Sequence, residues 1–146
     1  MWYNAPGRQF DLGDWSNVRR AFDGVKFINE YKGDDGYRNQ LDAFLLRPLE
    51  TDPNGFNDGD DTQTLWGLYN ITALPRLLPK GKTTLDTYVL GLHQSSSRIR
   101  LTDSDAYTFG VRLASKPKPF DFDVEAAYQI GQRGDDDIRA YMIGAE

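Results

Sequence analysis

Hydrophobic and polar residues alternate along most of the chain with a period of two, and the helical period of 3.6 fits poorly. This alternation is typical of β-strands, because successive side chains point to opposite faces of a sheet. Segments rich in Gly, Asp, Asn, Ser and Pro separate the alternating stretches, and these residues favour turns. The pattern predicts an all-β chain with about seven antiparallel strands: Phe22–Lys32, Tyr37–Leu46, Gln63–Ile71, Thr84–Leu92, Tyr107–Ala114, Phe120–Ile130 and a last strand from Ile138.

The connections between these strands differ in length. Segments 32–36 and 115–119 are predicted to be short turns, whereas segment 50–61 is long and acidic. Its Pro, Gly and clustered like charges oppose both helix and strand. The connection 131–137 is of intermediate length. Short turns at one end and long loops at the other are typical of outer-membrane barrels, although soluble sandwiches also mix loop lengths.

The two faces of the predicted strands allow two interpretations. In a soluble antiparallel sheet the apolar face is the core, whereas in a transmembrane barrel it contacts lipid and the charged face lines a wet lumen. Strands of about 10 residues are long enough to cross a bilayer at a tilt. Large aromatic residues lie towards strand ends on the apolar face, namely Tyr31, Tyr37, Tyr107, Phe122 and Tyr128. These features favour the barrel, but the pattern alone leaves a soluble β-sandwich or lipocalin-like barrel open.

The charged face carries the candidate pore-lining residues. An Arg or Lys on the lipid face costs roughly 2–4 kcal/mol at the bilayer midplane, so we expect these charges to face the lumen. Lys26, Arg38 and Arg112 are the candidate contacts for anions, because a guanidinium pairs with carboxylates and stays charged. Alternatively, they only neutralise nearby acids. The predicted pore-lining set is Lys26, Glu30, Arg38, Asp42, Arg47, Arg112, Asp123 and Glu125.

Composition excludes several classes of function. The 146 residues suit one domain, and 17 Lys and Arg against 22 Asp and Glu give a net charge of −5. That balance argues against nucleic-acid binding, which needs a basic face. The chain has no Cys and a single His, His93, which opposes thiol chemistry, zinc sites and histidine-based catalysis. The mean hydropathy is −0.62, and no cofactor is expected.

Two other chemistries remain as weaker hypotheses. Asp123 and Glu125 share one strand face at i and i+2, and a pair of carboxylates is what a glycoside hydrolase uses. A lumen charge pair is the preferred interpretation. The acids and amides of segment 54–61 could bind Ca²⁺ through oxygen ligands, but they lack the EF-hand pattern, so a solvated loop is preferred. A soluble carbohydrate-binding sheet face using Trp66 and Tyr88 is the main alternative function.

Three motifs connect the chain to a known family. Trp15–Val25, with the sequence WSNVRRAFDGV, resembles the W-x-N-x-x-R-x-F-D-G-V strand entry of the alginate export porins of Gram-negative outer membranes. Leu41–Phe44 followed by Arg47 and Pro48 is similar to the next strand and its exit into a loop. Asp123–Gly131 resembles the D-V-E-x-x-Y-Q-x-G strand of the same family. The motifs occur in the family's order, and the resemblance extends from about residue 7 to residue 146.

This resemblance implies a large monomeric barrel in the outer membrane, with no catalytic step. Such barrels pass an anionic polysaccharide or small organic solutes through an arginine-lined pore. About seven strands are too few to close a bacterial barrel, whose strand number is even and at least 8. The first residues lack the charged and apolar regions of a signal peptide. We therefore expect residues 1–146 to be part of a single, longer barrel domain.

Overall fold

The computed structural model describes residues 22–33, 37–50, 58–59, 61–74, 83–96, 102–115 and 121–146. These residues form seven long strands and one of two residues: β1 (Phe22–Lys32), β2 (Arg38–Glu50), β3 (Asp58–Gly59), β4 (Gln63–Ala73), β5 (Thr83–Gln94), β6 (Ser104–Ser115), β7 (Phe122–Arg133) and β8 (Asp136–Ala145). The described part of the chain contains no helix, and so none that is long and apolar enough to cross a membrane. The all-β prediction and its seven long strands are confirmed.

The strands form one antiparallel sheet with up-and-down topology. The order is β1-β2-β4-β5-β6-β7-β8, and the short β3 pairs with the end of β2 outside this path. Each long strand therefore pairs with the next long strand along the chain. Within the part of the chain that the structure describes, β1 and β8 are the two edges of an open sheet, as expected for part of a barrel. Most of the long strands extend a few residues beyond their predicted bounds.

Two predictions about connections are corrected. Asp58 and Gly59 pair with Glu50 and Leu49 as β3, so segment 50–61 contains a short strand after all. The connection predicted over 131–137 is only a two-residue turn at 134–135. Strand pairing continues through charged residues up to the Arg133–Asp136 pair. Gly134 allows this turn, since its φ of 59° lies in the left-handed region that favours glycine.

The predicted alternation of short and long connections fails at this turn. The β7–β8 turn lies at the same end of the sheet as the long connection 51–62. The predicted turns at 34–36 and 116–119, and most of the proposed calcium loop, lie outside the described residues. With the observed strand bounds, Tyr107 and Tyr128 lie within β6 and β7 rather than at their ends.

The strand register divides the side chains between two faces. Residues that pair across strands share a face, so the register from β1 to β8 assigns every strand position. We define the polar face as the even-numbered residues of β1, β2, β5, β6 and β8 and the odd-numbered residues of β4 and β7. The remaining positions form the apolar face. Its large hydrophobic members include Val25, Phe27, Leu45, Leu68, Phe109, Val111, Tyr128, Tyr141 and Ile143.

The apolar face is the exposed one. Val25 is 69% exposed and Ile143 is 76% exposed, and no second layer of the described residues covers them. The small buried cluster of Phe44, Tyr88, Leu90 and Ala127 lies instead on the polar face. A soluble protein rarely exposes so continuous an apolar surface. This arrangement is the opposite of a soluble half-buried sheet and matches strands whose apolar side contacts lipid.

Aromatic side chains pack over glycines on the neighbouring strands. In three cross-strand pairs an aromatic ring lies over the glycine directly opposite: Phe44 over Gly67, Trp66 over Gly91 and Tyr88 over Gly110. A Cβ atom added at any of these glycines would overlap the ring. Rings that cover glycines in this way compensate for the packing that a glycine cannot provide. The Tyr88–Gly110 pair also positions the functional side chains described below.

Candidate functional site

Arg112 is the centre of a charge network on the polar face of β5, β6 and β7. Its Nε donates to Asp123 Oδ1 at 2.7 Å, and its Nη2 donates to the other oxygen of the same carboxylate. Its Nη1 lies 3.3 Å from Asp86 Oδ2. A guanidinium paired at two points with one carboxylate is held in a defined orientation. Arg112 is therefore buried between two acids on the neighbouring strands.

Two tyrosines extend this network towards β4. The Tyr69 hydroxyl donates to Asp86 Oδ2 at 2.8 Å, and the Tyr88 hydroxyl donates to Glu125 Oε1 at 2.6 Å. The two tyrosine rings stack, with centroids 5.5 Å apart and an interplanar angle of 2°. Tyr88 reaches Glu125, two strands away, because Gly110 on the intervening strand leaves room for its ring. Gly110 thus allows the position of the Tyr88 ring and, with it, the hydrogen bond to Glu125.

The network carries more negative than positive charge. One guanidinium faces the carboxylates of Asp86 and Asp123, and Glu125 lies directly opposite it across the β6–β7 pair. Asp86 Oδ1 is buried and has no hydrogen-bond partner among the described residues. Leaving such a group unpaired costs about 1–3 kcal/mol. Among the described residues, the network therefore holds more acids than bases.

The remaining predicted bases are also paired with acids. Lys26 Nζ lies 2.6 Å from Asp42 Oδ2, and Gln40 donates to the other oxygen of Asp42 at 2.7 Å. Arg38 lies 3.3 Å from Glu30 near the β1–β2 turn, where both side chains are exposed. These pairs are the neutralising arrangement that the sequence left as an alternative to anion binding.

Seven of the eight predicted pore-lining residues share the polar face, and Arg47 does not. The seven are Lys26, Glu30, Arg38, Asp42, Arg112, Asp123 and Glu125. Arg47 lies on the apolar face and pairs with the exposed Asp61 at 2.7 Å. The reason is that β2 continues unbroken to Glu50, so the strand alternation turns residue 47 to the opposite face from residues 42 and 46.

Sequence reasoning missed Asp86 and Tyr69. Asp86 is the only Asp, Glu, Lys or Arg of β5 and lies on the same face as Tyr88 and Leu90. A single acid among these residues is the feature of the sequence that marks the position. Its partners Tyr69 and Arg112 lie on the two neighbouring strands. Only the register between strands reveals these contacts, because the three residues are far apart in sequence.

The structure gives little support to a glycoside hydrolase or to a carbohydrate-binding sheet face. Asp123 and Glu125 are each engaged, by Arg112 and Tyr88 respectively. An open depression of about 720 Å³ lies elsewhere and is lined by apolar side chains such as Leu68, Val89 and Phe109, not by either carboxylate. Trp66 and Tyr88 lie on opposite faces of the sheet, so they do not form one carbohydrate-binding platform.

The single histidine forms an arrangement that resembles a Ser-His-Asp triad. His93 Nδ1 lies 2.6 Å from Asp105 Oδ1, and Ser95 Oγ lies 3.3 Å from His93 Nε2. Two backbone donors beside it are already used: the Ser95 N–H donates to Thr62 O, and the Ser96 N–H donates to an Asp103 carboxylate oxygen. Neither of these two N–H groups is therefore free to act as an oxyanion donor for acyl transfer. Within the described ranges, no three His, Asp or Glu side chains are grouped to hold a metal ion.

Long antiparallel strands, an exposed apolar face and an opposite face of mutually paired charges together define the sheet of a transmembrane β-barrel. The chain belongs to the alginate export family, whose model, described as "Alginate export", matches residues 2–146. This is an outer-membrane porin family, and the resemblance seen in the sequence motifs is confirmed. No curated protein and no solved structure gives a significant match to the chain.

Proposed function

We propose that the protein is part of a monomeric channel in the outer membrane of a Gram-negative bacterium. Anionic solutes, either an alginate-like polysaccharide or small organic anions, would move through it passively along their gradient. The separation of the two sheet faces carries this proposal: lipid suits the exposed apolar face, and water suits the charged one. The family membership supports export or diffusion of solutes rather than a chemical step.

The energetic cost of the opposite orientation supports this assignment. Turning the polar face to lipid would place Lys26, Asp42, Arg112 and Glu125 in hydrocarbon. Each Arg or Lys at the bilayer midplane alone costs roughly 2–4 kcal/mol. The same turn would bring Val25, Phe109 and other large apolar side chains into water. A barrel with the polar face inward avoids both costs.

The polar face also suits solutes that keep their water. Its predicted pore-lining bases are each paired with acids, as in the Lys26–Asp42 pair, and Gln129 donates to the Thr108 hydroxyl at 2.9 Å. A lining of this kind offers many weak contacts, which lets a solute enter and leave. Passive transport therefore needs no moving part among the described strands.

Planar-bilayer recording tests the proposal. The purified full-length protein that contains these strands should fold in detergent, show heat-modifiable mobility on gels, and produce stepwise conductance when added to a bilayer. A sample unfolded by boiling serves as the control, and it should produce no steps. A protein that stays soluble and monomeric without detergent, and that gives no conductance, contradicts the channel function.

A further inference from the structure

The acids around Arg112 point to a role in charge selectivity. We propose that Asp86, Asp123 and Glu125 neutralise Arg112 and give this sector of the lumen a preference for cations, so that they lower the anion preference of the channel. The inference rests on the proposed channel function. It reverses the role that a lumen arginine has by itself, because a free guanidinium attracts carboxylates.

The hydrogen-bond geometry shows that Arg112 is occupied. All three of its nitrogens point to acids: Nε and Nη2 to Asp123, and Nη1 to Asp86. A solute carboxylate would have to displace one of these partners to reach the guanidinium. The two-point pairing with Asp123 makes that exchange unfavourable.

Exposure shows which member of the network a solute meets. The side chain of Asp123 is 24% exposed, whereas those of Arg112 and Asp86 are 8% and 2% exposed. A carboxylate therefore faces the lumen, and the guanidinium lies beneath it. The electrostatic effect on a passing ion comes mainly from the group nearest to it, since water weakens the more distant charges.

The local charge balance points the same way. The network of Arg112, Asp86, Asp123 and Glu125 contains one base and three acids. The neighbouring Lys26–Asp42 pair is neutral as a unit, so it does not offset the excess. Among the described residues, Asp86 Oδ1 has no hydrogen-bond donor that would offset its negative charge.

Reversal potentials in a KCl gradient test this inference. Asp123→Asn removes the lumen-facing charge while its side-chain oxygen can still accept from Arg112. We expect the permeability ratio of chloride to potassium to rise about twofold or more. This is the effect of removing one negative unit charge that acts through water on ions passing about 8 Å away. Recording at low salt limits screening. Asp137→Asn is the matched control, because Asp137 lies on the apolar face, is exposed and pairs with Arg139.

Glu125→Gln provides an independent variant. Its side-chain oxygen can still accept the Tyr88 hydroxyl, so folding should be retained while one negative charge is lost. The inference predicts a rise in the same ratio that is smaller than for Asp123→Asn, because Glu125 is buried. A ratio that is unchanged or lower in Asp123→Asn, or in Glu125→Gln if the first variant does not fold, overturns it. Absence of conductance from the unaltered protein overturns the channel function itself, and the inference with it.

Discussion

The Tyr88–Gly110 contact offers the sharpest test of how the sheet is held together. Gly110→Ala adds a Cβ atom where the Tyr88 ring lies, so the ring must move. Moving it disturbs the stack with Tyr69 and the 2.6 Å hydrogen bond to Glu125. Because β5 and β6 pair along their whole length, the backbone cannot shift to make room without breaking neighbouring hydrogen bonds.

The expected loss in the free energy of unfolding follows from two effects. Overpacking a well-packed site costs typically about 1–3 kcal/mol. A hydrogen bond to a charged group contributes about 1.5–3 kcal/mol, part of which lumen water restores at Glu125. We therefore expect Gly110→Ala to destabilise the protein by about 2–4 kcal/mol. Urea unfolding in detergent micelles, followed by heat-modifiable mobility, measures the change.

Gly144→Ala is the matched control for this substitution. Gly144 also lies on the polar face, in β8, and a Cβ atom added there meets no atom within 4 Å. A surface change of this kind is usually within about 0.5 kcal/mol of neutral. Adding Tyr88→Ala to Gly110→Ala removes the overlap, so the double variant should be less destabilised than the sum of the two single variants. Equal effects of Gly110→Ala and Gly144→Ala would refute this reasoning.

Three further predictions concern the two faces and the charge network. Tyr128→Arg, on the apolar face, should destabilise the folded protein in lipid by roughly 2–4 kcal/mol, whereas Gln129→Arg on the polar face should cost clearly less in the same urea titration. Arg112→Met leaves two acids unpaired and should lower the free energy of unfolding by about 3 kcal/mol; adding Asp86→Leu should recover part of this loss, and no recovery would argue against a coupled network. Arg47→Gln removes only an exposed ion pair, so its free energy of unfolding in the urea titration should change by less than about 1 kcal/mol. Its reversal potential should match that of the unaltered protein.

The sequence was sufficient to predict the strands and most of the face assignments. Period-two alternation depends only on local geometry, so the shared face of Lys26, Glu30 and Asp42 could be assigned before any pairing was known. Arg47 is predicted on the wrong face because the alternation predicts that β2 ends at Leu46, whereas pairing with β1 and then with β3 continues the strand to Glu50. The β7–β8 turn was missed for the same reason, since Arg133 and Asp136 continue the ladder despite their charge.

The charge network could not be derived from single strands. Asp86, Arg112 and Asp123 meet only through the β5–β6 and β6–β7 registers. Glu125 lies directly opposite Arg112, yet it accepts from Tyr88, and Arg112 donates to Asp123 and Asp86 instead. Such contacts depend on the positions of glycines across the sheet, and this information is distributed over several strands.

The central claim is that the apolar face contacts lipid and the polar face contacts water. The chain contains no Cys, so a fluorophore can be attached to a single Cys placed at successive positions along β6 of the protein in lipid vesicles. Labels at Tyr107, Phe109 and Val111 should be quenched by nitroxide lipids, and labels at Ala106, Thr108 and Ala114 by aqueous iodide. A period of two with this phase is the predicted result. Quenching with the opposite phase, or by iodide alone at every position, would contradict the account.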